Sequence, residues 1–517
     1  DWLKQEMQQQ MSRWSDIAPR RELGLLPTLG ELKVTLKEQR VLRDGERPQF
    51  SIDGKNAVKL LQGSNLYSDK YACINELVQN AIDSTLIRIW LTDGQFSREE
   101  WKDPLDPALQ EVLQREENYV RVEVDIKELD AEEEDYFECV VSVCDKGTGI
   151  HHKDLAHMLK IGGSRENAFR QKIIQGMPEW MKPSGVFGIG LQSVFLWADK
   201  INIETQSFFD RTGLSITLHD PKGKMHGLVS IQDQPFCVKK PSGYGTKLSF
   251  TSKLKKSQHY DYIHYGNSFV LSEIDPTLNF PVELTGIAEK LSQLEFSAMP
   301  RVVLRVGLTM IGQPQRTIEI PVRTILHSDA DQGENNASVW WYDQERQLMI
   351  TREPGSKMTH QVFYRGRLLT KETHKLNLFP FNGIGVNILG KSAEYYLDIN
   401  RIGIKQEREE EFRGLVLDSL GSMLQSSKMQ VDNNNPAQAL FKRRIARHAH
   451  LLKAENGDAW MSYMLKKDVT IKNFLDSEEL YLGRSNEFSW CFFKKHPREF
   501  DASVFITALR LNSISED

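Results

Sequence analysis

Three polar side chains on one predicted helix have the types and spacing needed for phosphate chemistry. Glu76, Asn80 and Asp83 lie in the segment YACINELVQNAIDSTLIRIW, at separations of four and three residues. Side chains with these separations lie on one face of an α-helix. A carboxylate can take a proton from an attacking water, and an amide oxygen can bind Mg²⁺, which prefers oxygen ligands. The alternative is an ordinary solvated helix face, which the spacing alone leaves open.

The elements that must position these side chains are one helix and a set of short strands. Apolar residues on the other side of the helix Tyr71–Trp90 would dock it on a core. The segments Tyr119–Lys127 and Tyr136–Cys144 alternate between apolar and polar residues, which predicts two strands. Asp145 then falls at a strand end, where α/β folds place ligand contacts. The expected fold is a layer of helices on a mixed, mostly antiparallel sheet.

Glycine-rich segments follow the helix in a fixed order. They are DKGTG at 145–149, GVFGIG at 185–190 and Gly245-Thr246. Glycines let backbone N–H groups approach phosphates closely, and the N-terminus of a following helix favours an anion. The second segment alone could equally be any turn from a strand to a helix.

Together the segments ELVQNAID, DKGTG, GVFGIGLQSVFLWADKI and GTKLSF resemble the four nucleotide-binding motifs of the GHKL (Bergerat-fold) ATPases. The third is most similar to the heat-shock protein 90 (HtpG) chaperone branch. The motifs span roughly residues 60–250, and a weaker match continues to about 406. The resemblance implies an α/β fold, in the form of an α+β two-layer sandwich that binds ATP. A second α/β domain of middle type and a smaller C-terminal region would follow it.

The resemblance also implies roles for individual residues. Glu76 would be the general base of a slow, Mg²⁺-dependent ATPase, and Asn80 the metal ligand. Asp145, with Thr246 and a bridging water, would accept a hydrogen bond from the adenine amine. Asp83 is expected to anchor the binding loop rather than to contact the ligand. The remaining nucleotide-binding residues are expected to be Gly147, Gly149, Gly185, Val186, Phe187, Gly188, Ile189, Gly190 and Leu191.

Two further phosphate contacts are expected from shorter matches. Ser164 and Arg165 stand in a segment, 151–184, that is expected to form a lid, where related ATPases carry a Ser-x-Lys contact. Arg401 ends LDINR, which resembles a segment of the chaperones' middle domain whose arginine reaches the γ-phosphate. The alternative for Arg401 is a surface arginine.

Bulk properties limit the class of protein. A chain of 517 residues with a net charge of −5 suggests two or three domains and no overall basic field for nucleic acid. Five cysteines without CxxC spacing favour a reducing cytoplasm, and no apolar run is long enough to span a bilayer. The chain begins at Asp1 rather than methionine, as a fragment would.

The predicted domains divide the chain into four parts. Residues 1–49 would be an N-terminal arm, either an edge strand with a packing helix or an arm exchanged between protomers. Residues 50–265 would form the ATP-binding domain, 266–430 the middle-type domain, and 431–517 a C-terminal region of unknown role. His151-His152 could suggest a metal site, but no further ligand stands at metal spacing, so a solvated helix start is favoured.

Two functions remain open at this stage. The first is a chaperone-like homodimeric clamp in which ATP drives lid closure and acts on an unknown protein client. The second is an ATP-sensing regulatory subunit, with little turnover, of a bacterial stress or anti-phage defence system. A role in DNA strand passage or mismatch repair is disfavoured, and so is a histidine kinase, because the chain lacks their signatures.

Overall fold

The structure of the protein is a computed structural model. It describes residues 71–94, 100–129, 136–161, 168–184, 190–222, 227–234, 243–255, 282–294, 297–309, 314–322, 340–352, 361–369, 384–390, 393–398 and 403–425, with short pieces at 6–7, 9–10, 51–52, 481–485 and 488–492. Helices and a large mixed sheet make this an α/β protein, as predicted.

The described α-helices are α1 (Ala72–Thr92), α2 (Pro107–Leu113), α3 (Leu155–Met158), α4 (Ala168–Gln175), α5 (Val282–Ser292), α6 (Ala393–Tyr396) and α7 (Glu409–Gln425). The 3₁₀ helices are Glu100–Lys102, Glu116–Asn118, His152–Asp154, Glu179–Met181, Gly190–Leu196 and Gln406–Arg408. The strands are β1 (Ser51–Ile52), β2 (Val120–Glu128), β3 (Tyr136–Asp145), β4 (Lys160–Ile161), β5 (Lys200–Gln206), β6 (Gly213–His219), β7 (Val229–Gln234), β8 (Gly245–Lys255), β9 (Val302–Thr309), β10 (Arg316–Pro321), β11 (Trp340–Asp343), β12 (Leu348–Arg352), β13 (Gln361–Tyr364), β14 (Arg367–Leu368), β15 (Ile384–Ile388), β16 (Tyr481–Ser485) and β17 (Phe488–Phe492).

Helix α1 is the central helix of the fold. It extends over 21 residues, and most of its side chains are buried, including Glu76 and Asp83. A helix buried on so much of its surface must find partners for its polar groups inside the protein. None of the helices in the described ranges is long and apolar enough to cross a membrane.

The main sheet has eight strands in the order β10-β9-β2-β3-β8-β5-β6-β7. Every neighbouring pair is antiparallel except β2 with β9, which is parallel. Strand β6 alternates between buried and half-buried residues, because one face of the sheet packs on the helices. Asp145 is the last residue of β3, as the alternation predicts.

The main sheet crosses the predicted boundary between residues 265 and 266. Strands β9 and β10 come after that boundary, yet β9 pairs along its length with β2. Helix α5 also packs against α1, since a Cβ atom on Gly286 would lie 2.6 Å from Cζ of Tyr71. Strands β9 and β10 therefore belong to the first sheet, although they follow residue 265. The division of the chain into domains stays a prediction.

A second sheet follows in the order β11-β12-β15-β13-β14. Strands β13 and β14 form a tight hairpin in which Tyr364 pairs with Arg367. The backbone N–H of Leu368 donates to the carbonyl of Gln293, 3.1 Å away, just beyond the end of α5. This contact brings the hairpin next to the helices that cover the first sheet.

The described part of the predicted lid is packed on the core. Leu155, Trp180 and Met181 are buried, and Trp180 Nε1 donates to the carbonyl of Trp101, 2.8 Å away. Strand β4 pairs in parallel with β1. The movement expected of a lid stays a prediction.

Candidate functional site

The polar face of α1 contains two buried carboxylates with an exposed amide between them. Glu76 and Asp83 are each 7% exposed, whereas Asn80 is exposed. Burying a carboxylate is costly unless hydrogen bonds or a counter-charge compensate it. The partners of Glu76 and Asp83 therefore define the two ends of this face.

Asp83 holds the residue that precedes the second glycine-rich segment. One carboxylate oxygen accepts from the backbone N–H and hydroxyl of Ser184, at 2.9 and 3.1 Å, and the other accepts from Gln79 Nε2 at 3.0 Å. Burial raises the pKa of Asp83, and the hydrogen bonds from Gln79 and Ser184 act in the opposite direction. Asp83 thus holds Ser184, the residue before Gly185 in the chain, and its anchoring of a nucleotide-binding loop stays a prediction.

Glu76 is paired with an arginine from the second sheet. Arg367 Nη1 donates to Glu76 Oε1 at 2.5 Å, and both side chains are more than nine-tenths buried. The two residues are 291 positions apart in the chain. Neither a motif nor a periodic pattern marks Arg367 in the sequence, so sequence reasoning missed it.

Asp145 lies at the end of β3, opposite Thr246 on the neighbouring strand β8. The backbone N–H of Gly147 donates to Asp145 Oδ1 at 2.7 Å. Burial raises the pKa of Asp145 to about 7, although hydrogen bonds from the backbone of Gly147 and Thr246 favour the ionised form. A carboxyl group at a strand end whose pKa lies near 7 is a good candidate for a ligand contact.

Hydroxyl groups connect this strand end to the loop that follows it. The Thr205 hydroxyl donates to the carbonyl of Gly245 at 3.1 Å and accepts from the Ile150 N–H at 2.9 Å. Because its single proton is engaged, the Thr246 hydroxyl must be the donor in their 3.0 Å contact. Thr246 is thereby fixed beside Asp145.

The two glycines of the DKGTG segment lie where a side chain has no room. A Cβ atom on Gly147 would lie 2.4 Å from the hydroxyl oxygen of Ser84 on α1. Gly149 has a φ of +64°, and a Cβ atom there would lie 2.0 Å from the carbonyl oxygen of Gln206. The tight turn expected from the sequence is therefore present, and it is packed between α1 and β5.

Gly149→Ala is expected to destabilise the fold. A left-handed backbone costs a non-glycine residue about 1–3 kcal/mol, and the contact with Gln206 adds to that cost. Gly414→Ala is the matched control, because nothing lies within 4 Å of a Cβ atom at this position in α7. Alanine should stabilise that helix by about 0.5–1 kcal/mol. Denaturant unfolding measures both changes, and equal stabilities would contradict the strained turn.

Two arginines that the sequence analysis did not select hold the same loop in place. Arg88 Nε donates to the carbonyl of Lys146 at 3.0 Å, and its Nη2 donates to the side chain of Asn118. Arg170 Nη2 donates to the carbonyl of Gly149 at 3.1 Å and to Asp154 Oδ2 at 2.9 Å. These bonds satisfy the loop carbonyls and fix the position of Asp145.

The phosphate-side residues are only partly described. Gly190 and Leu191 begin the segment Gly190–Leu196, which is a 3₁₀ helix, whereas an α-helix beginning at Leu191 is expected after the glycines. A 3₁₀ helix carries poorer hydrogen-bond geometry than an α-helix, so it supplies a weaker positive end. The other predicted contacts lie outside the described residues: Ser164, Arg165, Gly185, Val186, Phe187, Gly188, Ile189 and Arg401.

His151 and His152 have a third potential ligand nearby that the sequence spacing could not show. Asp210 Oδ2 lies 3.2 Å from His151 Nε2 and 3.3 Å from His152 Nδ1. The Lys153 N–H donates to His151 Nδ1 at 3.2 Å, so neutral His151 carries its proton on Nε2 and donates it to Asp210. A metal bound to Nε2 would require the proton of His151 to be on Nδ1, where it would face the Lys153 N–H, which is also a donor. Capping of the helix start at His152–Asp154 therefore explains the cluster.

Asp210 is itself well stabilised as a carboxylate. Burial raises its pKa, but hydrogen bonds from Thr212 and Ser207 outweigh burial and lower the pKa to about 2. Its negative charge is thus available to both histidines at any neutral pH.

Comparison with known proteins gives a partial match to a chaperone. Chaperone protein HtpG from Sulfurovum sp. (strain NBC37-1) is 28% identical to the chain over 158 residues. That segment is 30% of this chain and 21% of the chaperone. No protein-family model matches the chain. The chain is therefore similar to an HtpG chaperone over a minor part of both proteins.

Proposed function

We propose that the chain binds ATP with Mg²⁺, hydrolyses it slowly and uses the nucleotide to close a chaperone-like clamp. The observation that carries this proposal is Asp145, fixed at the end of β3 beside Thr246 and across the DKGTG turn from α1. The partial similarity to an HtpG chaperone agrees with it.

Adenine selection is assigned to Asp145. The adenine amine donates a hydrogen bond, whereas guanine presents a carbonyl at the same edge and would oppose a carboxylate. The Thr246 hydroxyl, 3.0 Å from Thr205, would take part through a bridging water. The base would then lie over the turn of Gly147 and Gly149.

The metal and the phosphates are assigned to the exposed part of α1 and to the glycine-rich segment. Asn80 is exposed on α1, so its amide oxygen is accessible to Mg²⁺. Gly190 and Leu191 would contact the phosphates. By the sequence resemblance, so would Ser164, Arg165, Gly185, Val186, Phe187, Gly188 and Ile189.

Hydrolysis is assigned to Glu76 as the general base, with Arg401 of LDINR at the γ-phosphate. An arginine suits this position because its planar guanidinium matches phosphate oxygens and offsets the charge that develops there. The assignment of Arg401 rests on the sequence alone.

The second candidate function is an ATP-sensing subunit with little turnover. The contact between Glu76 and Arg367 favours it, because a base held in a buried ion pair is not in position to activate water. Homodimerisation, a protein client or effector, and a cytoplasmic location complete the proposal for either function.

Calorimetry with Mg·ATP and Mg·GTP on the full chain tests the proposal. We expect ATP to bind and GTP to bind at least about tenfold more weakly, since one opposed hydrogen bond in a desolvated pocket costs about 1.5–3 kcal/mol. Turnover and molecular size, each measured with and without a non-hydrolysable ATP analogue, separate the two functions. Absence of ATP binding would reject both.

A further inference from the structure

The hairpin that carries Arg367 has an unusual backbone. Its two connecting residues, Arg365 and Gly366, both have positive φ angles, of 46° and 79°. Glycine adopts this conformation easily, but a bulky residue such as arginine is strained there. The turn is fixed by two bonds to β15: the Arg365 N–H donates to the carbonyl of Ile388 at 2.9 Å, and the Gly366 N–H to Asn387 Oδ1 at 3.0 Å.

The Arg365 side chain is buried with incomplete partners. Its Nη2 donates to the carbonyl of Glu179 at 3.1 Å, at the end of the predicted lid segment. Nε and Nη1 are buried and have no hydrogen-bond partner among the described residues. Its positive charge also acts on Asp83, the carboxylate that anchors Ser184. A strained backbone and unmet donors make the docked position of this turn costly.

The Arg367 side chain, in contrast, forms a buried ion pair with Glu76 through Nη1. An ion pair at 2.5 Å between two buried groups makes the carboxylate a poorer proton acceptor. The same turn therefore combines a tight contact at Glu76 with a poorly satisfied contact near Asp83. The arginines of this turn can therefore leave their present contacts when an anion that binds guanidinium groups more strongly is available.

We propose that the Arg365–Gly366–Arg367 turn is a latch that holds Glu76 inactive until the nucleotide phosphates draw its two arginines away. This inference rests on the proposed function of Glu76 as the base. Phosphate oxygens offer a guanidinium more negative charge than one carboxylate and can bind it through two parallel hydrogen bonds. Transfer of Arg367 to phosphate would free Glu76 for water and place positive charge beside the phosphates.

Arg367→Gln tests the latch. Turnover at saturating ATP should rise because Glu76 is free, whereas ATP affinity should fall because the phosphates lose the Arg367 guanidinium. A latch that leaves about one site in ten competent limits the gain in turnover to about tenfold. Arg305→Gln is the matched control, since Arg305 is a half-exposed arginine on β9 whose partners are Glu319 and Glu123. Unchanged turnover in Arg367→Gln would overturn the latch. So would a fall toward the low turnover expected when the proposed base is removed in Glu76→Ala.

A nucleotide-free measurement separates failure of the latch from failure of the proposed function. Arg367→Glu places two carboxylates together and should increase hydrogen exchange in the hairpin at 361–368. The double variant Glu76→Arg with Arg367→Glu restores opposite charges and should restore protection. If the double variant is as unprotected as Arg367→Glu, the ion pair does not hold the hairpin. If protection is restored but the parent chain binds no ATP, it is the proposed function that fails.

Discussion

Replacing Glu76 with alanine is expected to lower ATP turnover by about 10²–10⁴-fold, the usual contribution of a general base. Nucleotide affinity should remain close to that of the parent chain, because the adenine and metal contacts are assigned to Asp145 and Asn80. Steady-state hydrolysis together with calorimetric binding of Mg·ATP measures both quantities on the same preparation.

Glu76→Gln separates the chemical role of the carboxylate from its packing. Glutamine keeps the shape of Glu76 and can still accept from Arg367, yet it cannot serve as a base at neutral pH. Both variants should therefore lose turnover. Only alanine should also leave the buried Arg367 guanidinium without its acceptor on Glu76. Hydrolysis at the parental rate in Glu76→Gln would remove Glu76 from the reaction.

Asn80 gives the contrasting variant on the same helix. Asn80→Ala should weaken Mg·ATP binding itself, since the amide oxygen is the proposed metal ligand, and raising the Mg²⁺ concentration should recover part of the loss. Lost turnover at Glu76 together with lost affinity at Asn80 would distinguish a catalytic site from polar residues that serve only the fold. Unchanged turnover and affinity in both variants would favour the purely structural role.

Local sequence patterns predicted most of the first sheet and its central helix. Residues Tyr71–Trp90 were expected to form a helix, which extends over Ala72–Thr92, and Tyr136–Cys144 a strand, which extends over Tyr136–Asp145. These segments are long and have a strong hydrophobic period, so the local signal agrees with the packing. Asp145 was placed at a strand end for the same reason.

Contacts between distant parts of the chain could not be predicted in this way. Strands β9 and β10 were expected in the second domain, but β9 pairs with β2. Alternation gives the face of a strand and not its neighbour, so it could not show this pairing. The partners of Glu76 and of His151, which are Arg367 and Asp210, depend on the same long-range packing. The 3₁₀ helix Gly190–Leu196 differs from the expected helix only in its hydrogen bonding, which residue types do not specify.

The pKa of Asp145 is raised to about 7, so its charge state depends on pH near neutrality. The ordinary value for an aspartate is about 4, so between about pH 4 and pH 7 the folded protein holds a proton that the unfolded chain has lost. The free energy of unfolding should therefore fall as pH rises through this window and level off above about pH 7. Asp145→Asn should remove this part of the pH dependence.

Asp145→Asn is expected to weaken ATP binding by at least about 10- to 150-fold, equivalent to about 1.5–3 kcal/mol for a charge-assisted hydrogen bond in a desolvated site. The adenine amine is a donor, so it binds best to the ionised carboxylate. In the parent chain, affinity should then weaken about tenfold for each pH unit below about 7 and become constant above it, and binding near neutrality should release a proton. Calorimetry at pH 6, 7 and 8 in buffers of different ionisation enthalpy measures the affinity and the proton release together.

The asparagine variant should show weak binding that does not change with pH. Asp210→Asn is the control, because that carboxylate stays ionised throughout this range and lies outside the proposed site. A parent affinity that is equal at all three pH values, or an unchanged affinity in Asp145→Asn, would remove Asp145 from the adenine pocket.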